Sequence, residues 1–117
     1  METIGGATVV FGDGAGESLT AVGTDVTGGG YVGMVGSIPS GTPAPPVHSH
    51  PHTDEGFYVA EGDAMFNLDG REVAAPAGSF VFVPRGMPHT AWNAGDGPLR
   101  GIIIVSPGDA EHVFEPA

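Results

Sequence analysis

Two histidines and a glutamate lie close together near the middle of the chain, in the stretch VHSHPHTDEGFYVAEG (Val47–Gly62). His48 and His50 are two residues apart, so both side chains point to one face wherever the backbone is extended. Pro51 removes a ladder donor and favours a bend. We therefore expect a turn after His50, with Glu55 opening the next strand and facing the two imidazoles across the ladder. Such a cluster predicts a metal site if one further ligand joins it.

A second block, GSFVFVPRGMPHTAWN (Gly78–Asn93), supplies that ligand. An apolar strand over Ser79–Val83 runs into a proline-glycine turn, after which His89 begins another strand. A single histidine is more often a surface or core residue than a ligand, but three histidines and a glutamate in two spaced blocks predict one site. His52 is ambiguous: we favour a position at the mouth or surface, and an alternative role as ligand or proton donor stays open.

Three neutral imidazoles and one carboxylate suit one divalent ion of Fe, Mn, Co, Ni, Cu or Zn, and the ligand types alone do not choose among them. Four protein ligands leave one or two coordination positions open for substrate, water or O₂. A closed structural zinc site is more often rich in thiolates, and the chain has no cysteine. The donor set therefore favours a reactive metal over a structural one.

The two blocks resemble the two sequence motifs of the cupin superfamily. The first motif, H-x-H-x4-E-x6-G, fits at four positions: His48, His50, Glu55 and Gly62. The second motif, G-x5-P-x-G-x2-H-x3-N, fits at all five of its positions: Gly78, Pro84, Gly86, His89 and Asn93. Two features depart from the usual pattern: Gly41 lies one residue further upstream, and the linker Asp63–Ala77 is short. The resemblance covers residues 31–108.

The resemblance implies an all-β fold, a small antiparallel cupin β-barrel or jelly roll (double-stranded β-helix). We expect a single domain over residues 1–117, with the barrel core over 31–108, an N-terminal strand segment over 1–30 and a short tail over 109–117. The metal ligands implied for the barrel interior are His48, His50, Glu55 and His89. The chain resembles small bacterial cupins that are themselves similar to quercetin 2,3-dioxygenase.

Composition limits the possible partners. With 117 residues, 21 glycines and 11 prolines, the chain suits many short strands joined by turns. A net charge of −11, with three arginines as its only Lys or Arg residues, argues against nucleic acid and anionic membrane surfaces. The same scarcity of cations disfavours phosphorylated substrates. No apolar run reaches 18 residues and no signal peptide is recognisable, so we expect a cytoplasmic protein.

Turn residues divide the chain into short strands. The predicted strands are Ala7–Phe11, Leu19–Val26, Tyr31–Ile38, Phe57–Glu61, Ala64–Leu68, Arg71–Ala75, Ser79–Val83, His89–Ala94 and Leu99–Ser106. Asp69–Gly70 predicts a type I′ hairpin. Asn93 is expected to make structural hydrogen bonds, Arg85 to be solvated, and Ala110–Phe114 to form one helical turn.

Strand parity outlines an apolar pocket beside the metal. Phe57 and Val59 share the face of Glu55, and Ala91 shares that of His89. Further candidates for lining the barrel are Met34, Phe66, Phe80 or Phe82, Met65 and Met87. For each of them, packing in the core is the alternative interpretation. Such a pocket favours a small substrate that is neutral or enolisable, including aromatic ones.

Ile102–Val105 is apolar on both faces, which predicts a strand that is covered on both sides. The cover is either a second subunit, giving a homodimer, or the N-terminal strand of the same chain. The sequence does not decide between these two.

Three classes of function fit. The first is an O₂-dependent dioxygenase in which Glu55 acts as both ligand and catalytic base. The second is a non-oxidative metal enzyme, such as a polyketide cyclase, isomerase or lyase, in which the ion polarises a carbonyl. The third is a binding or sensor module without catalysis, which we rank last because sensor cupins usually carry a DNA-binding domain. Whether turnover needs O₂ separates the first two classes.

Overall fold

The computed structural model describes residues 2–9, 11–12 and 20–108, and nearly all of its regular structure is β-strand. The strands are β1 (Glu2–Ile4), β2 (Ala7–Val9), β3 (Thr20–Val22), β4 (Val32–Ile38), β5 (Asp54–Glu61), β6 (Asp63–Leu68), β7 (Arg71–Pro76), β8 (Phe80–Val83), β9 (His89–Asn93) and β10 (Leu99–Ser106). One helix, α1 (Thr24–Thr27), stands between β3 and β4. All pairings of these strands are antiparallel, which confirms the predicted class.

Two sheets enclose the core. Strands β3, β4, β10, β5 and β8 form a five-stranded sheet in that order, and β7, β6 and β9 form a three-stranded sheet; β1 and β2 pair separately. The central buried cluster combines Val59 of the first sheet with Ala64, Phe66 and Ala75 of the second. Since both sheets contribute to one cluster, they pack face to face with the core between them.

Strand β5 shows how the sequence divides between the two faces of the five-stranded sheet. Glu55 and Val59 are buried, and Phe57 packs against the core cluster. Between them, Gly56 and Tyr58 point the other way, because successive residues of a strand face opposite sides. One strand therefore carries both a candidate metal ligand and part of the outer surface.

The predicted hairpin between β6 and β7 is confirmed. Asp69 and Gly70 have φ angles of 53° and 90°, as a type I′ turn requires at both central positions. The Gly70 N–H donates to Asn67 Oδ1 at 2.9 Å, and the turn aligns Leu68 with Arg71. This register points Phe66 and Ala64 into the core.

The predicted strand Leu19–Val26 is wrong in its second half. Strand β3 covers only Thr20–Val22, and Thr24–Thr27 forms the short helix α1. Gly23 interrupts the strand at the N-cap position, and Gly28 ends the helix in the left-handed conformation, with φ of 75°. Gly23 thus ends the strand and Gly28 ends the helix, in a segment whose apolar residues suggested one continuous strand.

Parts of several predictions fall on residues that are not described. The helical turn at Ala110–Phe114, the tail over 109–117, Val10 of the predicted strand Ala7–Phe11 and Leu19 of the predicted strand Leu19–Val26 all lie outside the described residues. Within the part of the chain that is described, no helix is long and apolar enough to cross a membrane.

Gly62 closes the first motif for a structural reason. It follows β5 directly and adopts a φ of 92°, which L side chains rarely tolerate. A Cβ atom at this position would also lie 2.5 Å from the carbonyl oxygen of Pro98. The motif glycine therefore lets the β5–β6 turn approach the chain that enters β10.

Candidate metal site

Backbone hydrogen bonds join the two histidine blocks directly. His48 and His89 form an isolated antiparallel bridge, in which each N–H donates to the carbonyl of the other at 3.0 and 2.8 Å. The Gly86 N–H donates to the His50 carbonyl at 2.8 Å. The prediction that Glu55 faces the imidazoles across a shared ladder is wrong, because β5 pairs with β8 and β10. The bend at Pro51 separates the two histidines from β5, so their segment pairs with β9 instead.

The four predicted metal ligands come together in spite of this different pairing. One ligand atom from each of His48, His50, Glu55 and His89 lies within 4.8 Å of the others. Glu55 Oε1 is 3.0 Å from His50 Nε2 and also 3.0 Å from His89 Nε2. Glu55 and His89 are buried and His48 is exposed, so the cluster runs from the barrel interior to its mouth.

Carbonyl groups fix the orientation of two of the imidazoles. Nδ1 of His89 lies 2.9 Å from the Met87 carbonyl oxygen, and Nδ1 of His48 lies 2.8 Å from that of Pro46. A carbonyl only accepts, so this contact assigns the proton to Nδ1 in each ring. In the neutral imidazole, Nε2 then presents a lone pair to the cluster, as a metal-binding histidine does.

The donor atoms fit a bound cation. Among the described residues, Glu55 Oε1 and His89 Nε2 are buried without a hydrogen bond of acceptable geometry, although they lie 3.0 Å apart. With Nε2 unprotonated, lone pairs of two buried acceptors face each other, which is unfavourable. A divalent cation held by both atoms would turn this repulsion into attraction. The residues present therefore fit one divalent transition ion, whose identity the donor types leave open.

A proton can take the place of the ion at His89. The pKa of His89 is raised above its usual value, chiefly because Nε2 contacts the Glu55 carboxylate, while burial acts in the opposite direction. Since a metal ligand must be the neutral imidazole, protons and metal compete for this nitrogen. Metal affinity is therefore expected to fall as the pH is lowered.

A cavity of about 660 Å³ opens beside the cluster. Most of its lining side chains are apolar, and the four candidate ligands form part of its wall. The rings of Phe57 and Phe66 meet edge to face with centroids 5.2 Å apart. The five residues predicted as pocket candidates all line this cavity: Met34, Phe57, Val59, Phe66 and Ala91.

Other predicted lining residues lie elsewhere. Phe80 and Phe82 are 65% and 52% exposed, on the face of the five-stranded sheet that points away from the cavity. In β8 it is Val81 and Val83 that face inward, and Val81 packs on the core cluster. Met65 and Met87 are only partly buried and do not line the cavity.

His52 and Asn93 have the surroundings that the sequence predicts for them. His52 is exposed and lies outside the ligand group. Asn93 is buried, and its amide donates to the carbonyls of Ile38 and Gly97 at 2.9 Å each. Its Oδ1 accepts from the Gly95 N–H at 2.9 Å. Asn93 thus closes the loop after β9 and makes no contact with the ligand group.

Arg85 is exposed, as predicted, and it also forms an ion pair beside the site. Arg85 donates to the Asp54 carboxylate through its backbone N–H at 2.9 Å and through Nε and a terminal nitrogen at 3.2 Å each. These hydrogen bonds hold the pKa of Asp54 below its usual value. Because Asp54 precedes Glu55 and Arg85 lies in the turn before His89, the pair ties the two ligand blocks together. We call it the Asp54–Arg85 clamp.

Comparisons with known proteins agree with the fold. The family model for the cupin domain matches residues 34–110. Tetracenomycin polyketide synthase protein TcmJ of Streptomyces glaucescens is 35% identical over 60 residues, which are 51% of this chain and 40% of that protein. Polyketide synthase CurC of Streptomyces cyaneus is also 35% identical over 60 residues, or 51% of this chain and 39% of that protein. The match thus spans about two fifths of these relatives.

A solved structure resembles nearly the whole chain. A cupin protein from Bacteroides fragilis superposes with a TM-score of 0.76 and 16% identity, over 97% of this chain and 93% of that one. At this identity the likeness concerns the fold alone. It confirms the predicted cupin β-barrel, the double-stranded β-helix.

Proposed function

This chain belongs to the cupin family, and from that premise we propose that it is a metal-dependent, non-oxidative enzyme acting on a small enolisable substrate. The observation that carries the proposal is the convergence of four ligand atoms within 4.8 Å on the wall of a mostly apolar cavity. We assign the metal to His48, His50, Glu55 and His89. An ion bound there would supply Lewis acidity to a substrate oxygen.

Glu55 is the proposed catalytic base. Its carboxylate is 6% exposed and lies on the cavity wall between two imidazoles, so it is close to any substrate that reaches the cluster. Such a carboxylate can take a proton from the carbon next to a substrate carbonyl. Phe57 and Phe66 would hold an aromatic or planar substrate against this wall and exclude water from it.

We propose a polyketide-like substrate and a cyclisation, isomerisation or lyase reaction. Two relatives are named for polyketide synthases, and poly-β-ketone chains enolise readily between their carbonyl groups. In an intramolecular aldol closure, Glu55 removes one proton from a carbon next to a carbonyl, and this carbon forms a bond to a second carbonyl carbon as the C=O π bond there breaks. Glu55 returns the proton to the resulting oxygen, and loss of that hydroxyl with a second hydrogen from the attacking carbon releases one water. No oxidant enters this balance, so the proposed reaction needs no O₂.

The O₂-dependent dioxygenase stays a prediction and becomes the second candidate. It shares the ligand set, because four protein ligands leave room for O₂ as well as for a substrate oxygen. The names of the two relatives favour the non-oxidative reaction over it. A binding module without turnover is the third candidate.

In the test, the full chain is reconstituted with one divalent ion at a time and supplied with aromatic 1,3-diketones that carry a third ketone for ring closure. Products are identified by mass spectrometry after parallel reactions under ¹⁸O₂ and under argon. We expect equal turnover in both and an unlabelled cyclised product. Turnover that requires O₂ and leaves ¹⁸O in the product would establish the dioxygenase. Binding without any product, with every ion, would overturn the enzyme proposal.

Two variants test the role of Glu55 in the same assay. Glu55→Gln keeps an oxygen that can coordinate but loses the base, so kcat should fall by roughly 100-fold or more while KM changes little. His52→Ala, next to the site but outside the ligand group, is the matched control and should keep full activity.

A further inference from the structure

A proline-rich segment leads into the most exposed of the four candidate ligands. It joins β4 to His48 and reads PSGTPAPPV over residues 39–47, and we call it the proline strap. Every residue of the strap is exposed, and so is His48, whereas Glu55 and His89 are buried. An exposed side chain keeps more rotamer freedom than a buried one, so the orientation of His48 depends more strongly on its hydrogen bond.

The end of the proline strap offers carbonyl groups but few donors. Pro43, Pro45 and Pro46 have no N–H, so only Ala44 can donate from the backbone between positions 43 and 46. Pro46 also restricts the residue before it to an extended conformation, which makes Pro45 and Pro46 one stiff unit. A group that fixes the Pro45 carbonyl therefore fixes the Pro46 carbonyl as well.

Two hydrogen bonds connect this stiff unit to its surroundings. Nδ1 of His48 donates to the Pro46 carbonyl oxygen, which lies 2.8 Å away. The hydroxyl of Thr90 donates to the Pro45 carbonyl oxygen at 2.7 Å. These contacts form a continuous path from Thr90 through the two prolines to the ring of His48.

Thr90 has the properties of a fixed anchor. It follows His89 on β9 and is 6% exposed. Successive side chains of a strand point to opposite sides, so the Thr90 hydroxyl faces the proline strap while the His89 ring faces the other ligands. Its branched Cβ restricts rotation about χ1, and burial makes the loss of its hydrogen bond unfavourable. Thr90 is therefore placed to act on the ligand cluster through the strap.

We propose that Thr90 is a positioning residue of the metal site. Its hydroxyl holds the Pro45–Pro46 unit, so that the Pro46 carbonyl orients His48 with Nε2 toward the cluster before an ion binds. The ligand with the greatest freedom to rotate is then already in place, which lowers the entropic cost of binding. This inference rests on the proposed metal site, and it adds a residue that neither sequence motif specifies.

The first test measures metal affinity by competition with a chromogenic chelator for Co(II). Thr90→Val keeps the shape of the side chain but loses the hydroxyl, so affinity should fall by about 10-fold, the lower end of the range for indirect partners of metal ligands. Thr90→Ser restores the donor and should bind as the parent protein does. Ser40→Ala is the matched control, because the Ser40 hydroxyl ties the other end of the strap to the Gly95 carbonyl at 2.8 Å. It should leave the affinity unchanged.

The second test needs no metal and separates His48 from its neighbours. Long-range ¹H–¹⁵N NMR spectra at pH about 9, where histidine is ordinarily neutral, show which ring nitrogen carries the proton, and His48→Ala assigns the signals. His48 should carry its proton on Nδ1 in the parent protein and in Thr90→Ser, and the two tautomers should mix in Thr90→Val. The signals of His89, whose Nδ1 donates to the Met87 carbonyl at 2.9 Å, should be the same in every variant.

Thr90→Ala replaces Thr90→Val in both tests if the latter does not fold, as judged by circular dichroism. Unchanged affinity in the variant without the hydroxyl would overturn the inference, and so would an unchanged tautomer of His48. An equal loss of affinity in Ser40→Ala, or a change at His89 instead of His48, would also overturn it. A parent protein that binds no metal would instead overturn the proposed metal site, and the tautomer comparison would still decide whether Thr90 orients His48.

Discussion

Each face of the five-stranded sheet carries residues that are unusual for its surroundings. The inner face is mostly apolar but contributes a buried carboxylate, Glu55, to a cluster with three histidines. The outer face, which points away from the core, presents aromatic and β-branched side chains such as Phe80 and Ile104 to the surroundings. Strand β5 contributes to both, since Glu55, Phe57 and Val59 alternate with Gly56 and Tyr58.

This contrast shows what each face still requires. Buried acceptors such as Glu55 Oε1 and His89 Nε2 are costly without a partner, and a cation satisfies both. The exposure of apolar rings to water is unfavourable, and contact with a second apolar surface would bury them. The inner face therefore fits an ion, and the outer face fits the homodimer contact that the sequence predicts. We expect that a change on one face leaves the other unaffected.

The largest expected difference between the faces concerns stability. Phe66→Ala removes a ring that is 2% exposed and should lower the free energy of unfolding by about 3–5 kcal/mol. Phe80→Ala removes a ring that is 65% exposed and should cost below ~1 kcal/mol. Urea unfolding of both variants gives the comparison, in a background that carries Ile104→Glu, because a charge on the outer face would prevent the predicted homodimer from contributing. Equal losses would contradict the assignment of the two faces.

Removal of the metal should affect the inner face alone. An ion that binds only the folded chain, at about 100 times its Kd, stabilises it by ~2.7 kcal/mol, or roughly 10 °C in Tm for a chain of this size. Thermal melts with added Co(II) and then with excess chelator should show this shift in the parent protein and not in His50→Ala. The mass in solution should stay the same throughout. Dissociation on chelation would show that the faces are coupled.

The smallest expected effect concerns the Asp54–Arg85 clamp. Arg85→Ala leaves all four ligands in place but loosens the turn before His89, so metal affinity should fall by only a few fold, below ~10-fold, because the pair is exposed and screened. Competition with a chromogenic chelator measures the change. Arg71→Ala, an exposed arginine on β7, is the control. A larger loss than that of His50→Ala would mean that the clamp, and not the ligand set, determines binding.

Much of the site could be predicted because it is encoded in local spacing. The offsets between His48, His50 and Glu55, and the turn before His89, are properties of short segments. The pairing of His48 with His89 could not be predicted, because neither short segment contains information about a bridge to a distant part of the chain. The Asp54–Arg85 clamp was missed for the same reason.

The fold was predictable wherever apolar and polar residues alternate or turn residues are distinctive, as at Asp69–Gly70. In β8 the sequence FVFV is apolar at every position, so parity alone could not say that Phe80 and Phe82 face outward. Gly56 is a signal for the outward orientation of Phe80, because the Phe80 ring can lie over the neighbouring strand β5 only where that strand has no side chain. After Gly23 the chain forms the short helix α1, although its weak apolar pattern predicts a strand.

Two histidines that are two residues apart test whether this chain binds one divalent ion through His48, His50, Glu55 and His89. Elemental analysis of freshly purified parent protein, His50→Ala and His52→Ala measures the metal per chain. We expect about one ion in the parent protein and in His52→Ala, and little or none in His50→Ala. Full occupancy in His50→Ala, or its loss in His52→Ala, would contradict it.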